Sequence, residues 1–164
     1  SEVGYGAVAF NGTVRLNRAM MARLGIDEAE ARAGIERTQE KVRRRVRALR
    51  GDRPLPKVTG RTVILVDDGL ASGFTMLVAA EAVREAGAAE VVVAAPTAHA
   101  DTLPRLVGAA DRIYVANLRG GLSFAVADAY LHWYDVSLEE AQRLLADARR
   151  GAADTEGRAC TSTN

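Results

Sequence analysis

The sequence has little cysteine, almost no net charge and no long hydrophobic run. Among 164 residues Cys160 is the single cysteine, which excludes a disulfide within the chain and a cysteine-based metal site. Such scarcity is typical of a reducing compartment, so we expect a cytoplasmic protein. The 22 basic and 21 acidic residues leave a net charge of +1, which excludes a general electrostatic attraction to nucleic acid or to an anionic membrane.

Segments that could span a membrane are also missing, because charged residues interrupt every alanine-rich stretch before about 20 apolar residues accumulate. We therefore expect neither a membrane partner nor a secretory leader. The length suits one compact domain, and the hydrophobic fraction of 48% is ordinary for a soluble protein. We predict a single domain over residues 1–150 and a disordered tail over 151–164, where small and polar residues predominate.

The first third of the chain predicts a β-hairpin followed by a long charged helix. Residues 5–16 contain two short extended runs joined by Asn11 and Gly12, a dipeptide that favours tight turns. From Asp27 to Arg50, apolar residues recur at helical spacing and charged residues surround them. We interpret the arginine-rich end of this helix as a solvated face, with RNA or phosphate contact as the alternative.

After residue 60 the sequence alternates between strand-like and helix-like segments. The strand-like segments are "TVILVD", "EVVVAAPTA" and "DRIYVAN", and helix-like segments separate them. This order predicts an α/β fold with a mainly parallel, Rossmann-like sheet and helices on both faces. A capping box formed by Ser137 and Glu140 predicts the start of a last helix.

The stretch "VILVDDGLASGFTM", residues 63–76, combines a strand, a turn and the start of a helix. Ligands bind at the carboxyl ends of strands in such sheets, and Asp67 and Asp68 stand at this end. The backbone N–H groups from Ala71 to Thr75 lie at the start of a helix, where the dipole favours an anion. The turn lacks the lysine of nucleoside triphosphate loops and the glycine spacing of dinucleotide sites. A ligand with a phosphate at one end and neighbouring hydroxyls at the other, such as ribose 5-phosphate, fits both features.

Four aliphatic residues, two acids and a turn with Ser72, Gly73 and Thr75 resemble the phosphoribosyl-pyrophosphate motif of type I phosphoribosyltransferases. The flanking segments "GAVAFNG" and "WYDVSLEEA" are similar to a group of predicted bacterial phosphoribosyltransferases, over most of residues 4–146. The resemblance implies transfer of the phosphoribosyl group from phosphoribosyl pyrophosphate to a nitrogenous base, with release of pyrophosphate. It also implies Mg²⁺ bound through the phosphoribosyl pyrophosphate, without a direct protein site, and we expect a homo-oligomer, a dimer.

The same resemblance implies roles for individual residues. Asp67 and Asp68 would bind the ribose hydroxyls and, beneath the ribose, would suit the positive charge that develops in catalysis. The residues implied for the 5-phosphate are Ala71, Ser72, Gly73, Phe74 and Thr75. Those implied for the base side, in a loop after the third strand, are Asn117, Leu118 and Arg119.

Family members also carry a first core strand and a pyrophosphate-binding loop upstream of the hairpin. We therefore expect a piece of a longer protein, a chain that pairs with another chain, or a protein that binds ribose phosphate without transfer. A non-catalytic nucleotide-sensing or RNA-binding regulator on the same fold stays open as the alternative function. A receiver-like phosphoacceptor domain is disfavoured because no lysine follows Lys57. His99 could reach the same crevice, although a structural role in a loop is the more common one.

Overall fold

The computed structural model describes residues 4–121 and 124–159, in which strands and helices alternate. The strands are β1 (Gly6–Val8), β2 (Val14–Leu16), β3 (Thr62–Val66), β4 (Glu90–His99) and β5 (Arg112–Arg119). The helices are α1 (Arg18–Leu24), α2 (Glu28–Arg50), α3 (Phe74–Glu85), α4 (Leu103–Leu106) and α5 (Leu138–Ala159). Two short 3₁₀ turns cover Ala100–Thr102 and Val126–Ala129. The predicted α/β class, with a parallel sheet, flanking helices, an N-terminal hairpin and a long charged helix, is confirmed.

The chain divides into two compact units. One contains the residues up to Arg43 together with Pro54–Trp133, and the other contains Arg44–Arg53 together with the chain from Tyr134 onward. The single domain predicted for residues 1–150 stays a prediction. Part of the segment predicted to be a disordered tail continues α5 as far as Ala159, and residues 160–164 lie outside the described residues.

Three parallel strands form the main sheet in the order β3, β4, β5. Val63 pairs with Val91, and Val93 pairs with Ile113, so β-branched residues line up across the strands. These residues suit the pleated surface of a buried sheet. The parallel arrangement brings the carboxyl ends of all three strands to the same edge of the sheet.

The core lies between one face of this sheet and the helices α3 and α4. Met76 of α3, Val93 of β4 and Leu106 of α4 belong to one cluster and are all at least 96% buried. On the opposite face, Ile64 of β3 and Tyr114 of β5 are more than half exposed. The outer strands β3 and β5 therefore alternate between covered and exposed side chains, in the pattern of a sheet buried on one face. The sequence analysis expected helices on both faces, and in the described residues the face that carries Ile64 and Tyr114 stays largely exposed.

The hairpin of β1 and β2 packs against α3. Ala7 is fully buried in a cluster with Val78 and Ala82, and the Arg15 guanidinium pairs with the Glu81 carboxylate at 3.1 Å. These contacts hold the hairpin beside α3, the helix that follows Asp67 and Asp68. The hairpin therefore belongs to the same unit as the main sheet.

Helix α2 begins one residue after the predicted position, because Asp27 is its cap. The Asp27 N–H donates to the Glu30 carboxylate at 3.0 Å, and the Glu30 N–H donates to Asp27 Oδ1 at 2.8 Å. This reciprocal pair is a capping box, which satisfies two donors at the start of the helix. Across the described ranges, no helix combines the length and the apolar character needed to cross a membrane.

Candidate functional site

The acidic pair lies where β3 ends, at the edge shared by the carboxyl ends of the strands. The Asp67 N–H donates to the Ala94 carbonyl at 3.2 Å, which extends the pairing with β4 one residue beyond the strand. Asp67 Oδ1 accepts the Asp68 N–H at 3.0 Å. Asp67 is half-buried and Asp68 is exposed. The pair therefore has a fixed backbone and a carboxylate that reaches solvent, as a ligand site requires.

The turn after the acidic pair is anchored on β4 through Leu70. Its N–H donates to the Thr97 carbonyl at 3.0 Å, and its carbonyl accepts the His99 N–H at 2.9 Å. The Leu70 side chain is 98% buried in the core. Because both backbone groups and the side chain are engaged, Leu70 fixes the direction in which the following loop leaves the sheet.

A second contact holds the acidic pair from the side of the turn Val126–Ala129. The Tyr130 hydroxyl donates to the Asp68 carbonyl at 2.7 Å. A Cβ atom at Gly69 would lie 2.5 Å from Val126 Cγ1, so a larger residue at this position would collide with the turn. Val126 and Tyr130 are therefore part of the site's support, and sequence reasoning missed both.

The loop of residues 71–75, here called the phosphate loop, ends in the first turn of α3. Gly73 caps this helix with φ of 75°, and its carbonyl accepts the Leu77 N–H at 2.9 Å. The first turn of α3 contains no acidic residue. In the part of the chain that the structure describes, the backbone N–H groups of Gly73 and Thr75 have no acceptor. Donors of this kind at the start of a helix bind anions.

Gly73 is required by the protein's own packing as well as by its backbone angle. A Cβ atom there would lie 2.4 Å from Cγ2 of Thr102, which is 99% buried. Close approach between the loop and the turn after β4 therefore accounts for this glycine.

The residues predicted for the base side lie within β5 instead of in a loop after it. The longer strand β4 extends the pairing of β5 as far as Arg119. The pairs are Asn117 with Thr97, Leu118 with Ala98, and Arg119 with His99. Asn117 and Leu118 are exposed. The Arg119 guanidinium carbon lies 5.9 Å from the centre of the Phe124 ring. All three residues stand at the same edge of the sheet as the acidic pair, separated from it by β4.

His99 has a structural role at the end of β4. Its Nδ1 accepts the Asp101 N–H at 3.2 Å, and its Nε2 lies 2.9 Å from the Gly121 carbonyl oxygen. These partners fit a neutral ring with the proton on Nε2. The Phe124 ring packs edge-on against it, at 5.6 Å between centres. Both nitrogens are thus engaged within the fold.

Two further residues, which sequence reasoning did not single out, contact the backbone carbonyls of the phosphate loop. Thr102 Oγ1 donates to the Ala71 carbonyl at 2.6 Å, and the Arg105 guanidinium donates to the Ser72 carbonyl. Both residues follow β4, so the rule that draws attention to the carboxyl ends of strands applies to them as well. Among the residues described, no group of three or more histidine, cysteine or acidic side chains could hold a metal ion.

Comparison with known proteins points to one family. The family model of the phosphoribosyl transferase domain matches residues 12–113 of this chain, and this range contains the acidic pair and the phosphate loop. Two proteins of Mycobacterium tuberculosis, from strains CDC 1551 / Oshkosh and ATCC 25618 / H37Rv, are 35% identical over 155 residues. Both are named "Putative phosphoribosyl transferase", and the match covers 93% of this chain and 34% of each relative. The chain therefore spans about a third of the length of these relatives.

A solved structure is similar as well. The crystal structure of TT1426 from Thermus thermophilus superimposes with a TM-score of 0.66 and 29% sequence identity. The superposition covers 87% of this chain and 67% of that one.

The packing at Gly73 is tested by comparing Gly73→Ala with Gly60→Ala in urea unfolding. Gly60 has φ of 71°, and an added methyl group there would meet no described atom within 4 Å. We expect Gly60→Ala to lower the free energy of unfolding by about 1 kcal/mol, from backbone strain alone. Gly73→Ala should lower it further, because its methyl group collides with Thr102. Equal losses in the two variants would contradict this packing.

Proposed function

Because this chain belongs to the phosphoribosyl transferase domain family, we propose that it binds phosphoribosyl pyrophosphate for transfer of the phosphoribosyl group to a nitrogenous base. The observation that carries the proposal is the segment of residues 67–75. It presents a carboxylate pair and a loop lined with N–H groups at one edge of the sheet. A ribose 5-phosphate group has hydroxyls for the first and a phosphate for the second.

The phosphate loop is suited to the 5-phosphate by its backbone. The N–H groups of Gly73 and Thr75 are donors at the positive end of the α3 dipole, which stabilises a negative charge. The Thr75 hydroxyl adds a donor to this set. Because Gly73 begins the helix with a left-handed φ, the loop can turn several donors toward one anion.

The carboxylates of Asp67 and Asp68 would accept hydrogen bonds from neighbouring ribose hydroxyls. As the bond from the anomeric carbon to pyrophosphate breaks, positive charge develops on the sugar, and a bond to the base nitrogen forms. Negative carboxylates near the ribose stabilise that charge, and the fixed backbone of the pair limits reorganisation. Pyrophosphate leaves with the bonding electrons, and the base loses a proton.

Mg²⁺ would enter the site with the substrate. Carboxylate oxygens are hard ligands of the kind that Mg²⁺ accepts, so the acidic pair fits an ion carried mainly by the oxygens of phosphoribosyl pyrophosphate. When bound, the ion would neutralise part of the charge of the pyrophosphate leaving group.

The acceptor base would contact the end of β5. Asn117 carries both a donor and an acceptor in an exposed position, and Arg119 beside Phe124 adds a flat cationic surface.

The chain spans about a third of the length of its curated relatives, so the acceptor base, the dimer and the cytoplasmic location stay predictions.

We test the role of the acidic pair with Asp67→Asn and Asp68→Asn, measuring phosphoribosyl pyrophosphate binding with Mg²⁺ by calorimetry. Asparagine keeps an oxygen for the Asp68 N–H but removes the charge that accepts a ribose hydroxyl. We expect the Kd to rise about tenfold or more in each variant, since a hydrogen bond to a charged group contributes about 1.5–3 kcal/mol. Pyrophosphate release with a panel of bases should fall in parallel.

The control is Asp52→Asn, which removes the same charge from an exposed residue outside the site. It should bind like the unchanged protein. Equal affinity in all four proteins, or absence of phosphoribosyl pyrophosphate binding by the unchanged protein, would contradict the proposal.

A second candidate function is RNA binding at an arginine cluster of Arg50, Arg53 and Arg149. The guanidinium groups of Arg53 and Arg149 both donate to the Leu49 carbonyl, at 3.0 and 3.3 Å. The main cause that lowers the pKa of Arg149 is the loss of hydration around its guanidinium group. The positive charges of Arg53 and Arg50 lower this pKa further. Both hydrogen bonds cap a carbonyl in the last turn of α2, which is their structural role. An RNA phosphate would relieve the repulsion between the guanidinium groups of Arg53 and Arg149.

This second function is tested by fluorescence polarisation of a single-stranded RNA at several salt concentrations. Arg53→Gln/Arg149→Gln should weaken binding about tenfold or more at low salt and flatten its salt dependence. Arg23→Gln is the control, because Arg23 is an exposed residue of α1 and lies outside the arginine-rich end of α2. If the unchanged protein fails to bind RNA at low salt, this candidate is removed.

A further inference from the structure

The phosphate loop contains no lysine or arginine, and helix α4, which follows β4, places Arg105 beside it. The Arg105 guanidinium donates to the Ser72 carbonyl, and its central carbon lies 4.5 Å from the centre of the Phe74 ring. The neighbouring Thr102 donates to the Ala71 carbonyl at 2.6 Å. Two consecutive carbonyls of the loop thus accept hydrogen bonds from the side chains of Thr102 and Arg105, which lie three residues apart after β4.

These contacts act on the N–H groups through the peptide bonds. The Ser72 carbonyl and the Gly73 N–H belong to one peptide group, and the Ala71 carbonyl shares a peptide group with the Ser72 N–H. A donor at the carbonyl oxygen polarises the group and makes its N–H a stronger donor. The effect is greater when the donor is charged, as the Arg105 guanidinium is.

The charge of Arg105 is directed toward the loop. No carboxylate on a described side chain forms an ion pair with Arg105. The side chain is half-buried, so solvent screens its charge less than it would on the open surface. The face of Phe74, the first residue of α3, holds the guanidinium plane in position.

We propose that Arg105 is a positioning residue of the phosphate loop, which supplies cationic charge to the bound phosphate through the Ser72–Gly73 peptide group. Thr102 holds the preceding peptide group in the same way, without charge. The inference rests on the proposed function, because it names how the phosphate end of that site is strengthened. Arg105 has no direct contact with the phosphate in this arrangement.

The test compares Arg105→Gln and Arg105→Lys, with ribose 5-phosphate as the probe and calorimetry as the measurement. Glutamine can still donate to a carbonyl but has no charge, whereas lysine keeps both the charge and a donor. We expect Arg105→Gln to raise the Kd about tenfold and Arg105→Lys to stay within about threefold of the unchanged protein. The salt dependence of binding should decrease in Arg105→Gln only.

Arg61→Gln is the matched control, because Arg61 is exposed at the amino end of β3, away from the phosphate loop. It should leave both the Kd and its salt dependence unchanged. Urea unfolding of every variant reports any loss of stability separately from the loss of affinity.

The outcomes separate this inference from the proposed function. If the unchanged protein binds ribose 5-phosphate and Arg105→Gln binds equally well, the role of Arg105 is overturned and the site stands. If Arg105→Lys loses as much affinity as Arg105→Gln, the shape of arginine matters and its charge does not, which also overturns the inference. If the unchanged protein fails to bind ribose 5-phosphate, the proposed function itself is overturned.

Discussion

The hydrogen bonds that continue from β3 to β4 beyond Val66 are the constraint on which the candidate site depends. Asp67 bonds to Ala94, and Leu70 bonds to Thr97 and His99, so the chain stays attached to the neighbouring strand while it turns. The acidic pair is thereby held at the edge of the sheet. The phosphate loop must then leave in one direction, toward the start of α3. An isolated strand and helix with the same residues would not bring carboxylates and N–H donors to one ligand.

The turn after β4 completes this arrangement from the other side. Thr102 is buried against Gly73 and bonds to the Ala71 carbonyl, and Arg105 bonds to the Ser72 carbonyl. With the Ala71 and Ser72 carbonyls bonded to these side chains, the N–H groups of Gly73 and Thr75 are the donors that the proposed phosphate would use. The site is consequently built from two consecutive strand–helix units, and the second supports the first.

Much of the fold could be predicted from the sequence, and so could the strand end at which the candidate site lies, because these signals are local. Apolar runs mark β3, β4 and β5, and the acids and small residues that follow β3 mark the candidate site. Contacts between distant residues have no such signal: Arg105 and Ser72 are brought together only by the fold. The end of β5 at Arg119 depends on the length of its partner β4, and helix α1 is too short to give a clear period.

The most direct test of the central claim is an NMR titration of the isotope-labelled chain with ribose 5-phosphate and, separately, with ribose. The account predicts that the backbone amide resonances of Gly73 and Thr75 shift with ribose 5-phosphate and keep their positions with ribose. Unchanged resonances for both amides at saturating ribose 5-phosphate, or equal shifts with ribose, would contradict the assignment of this loop to the phosphate.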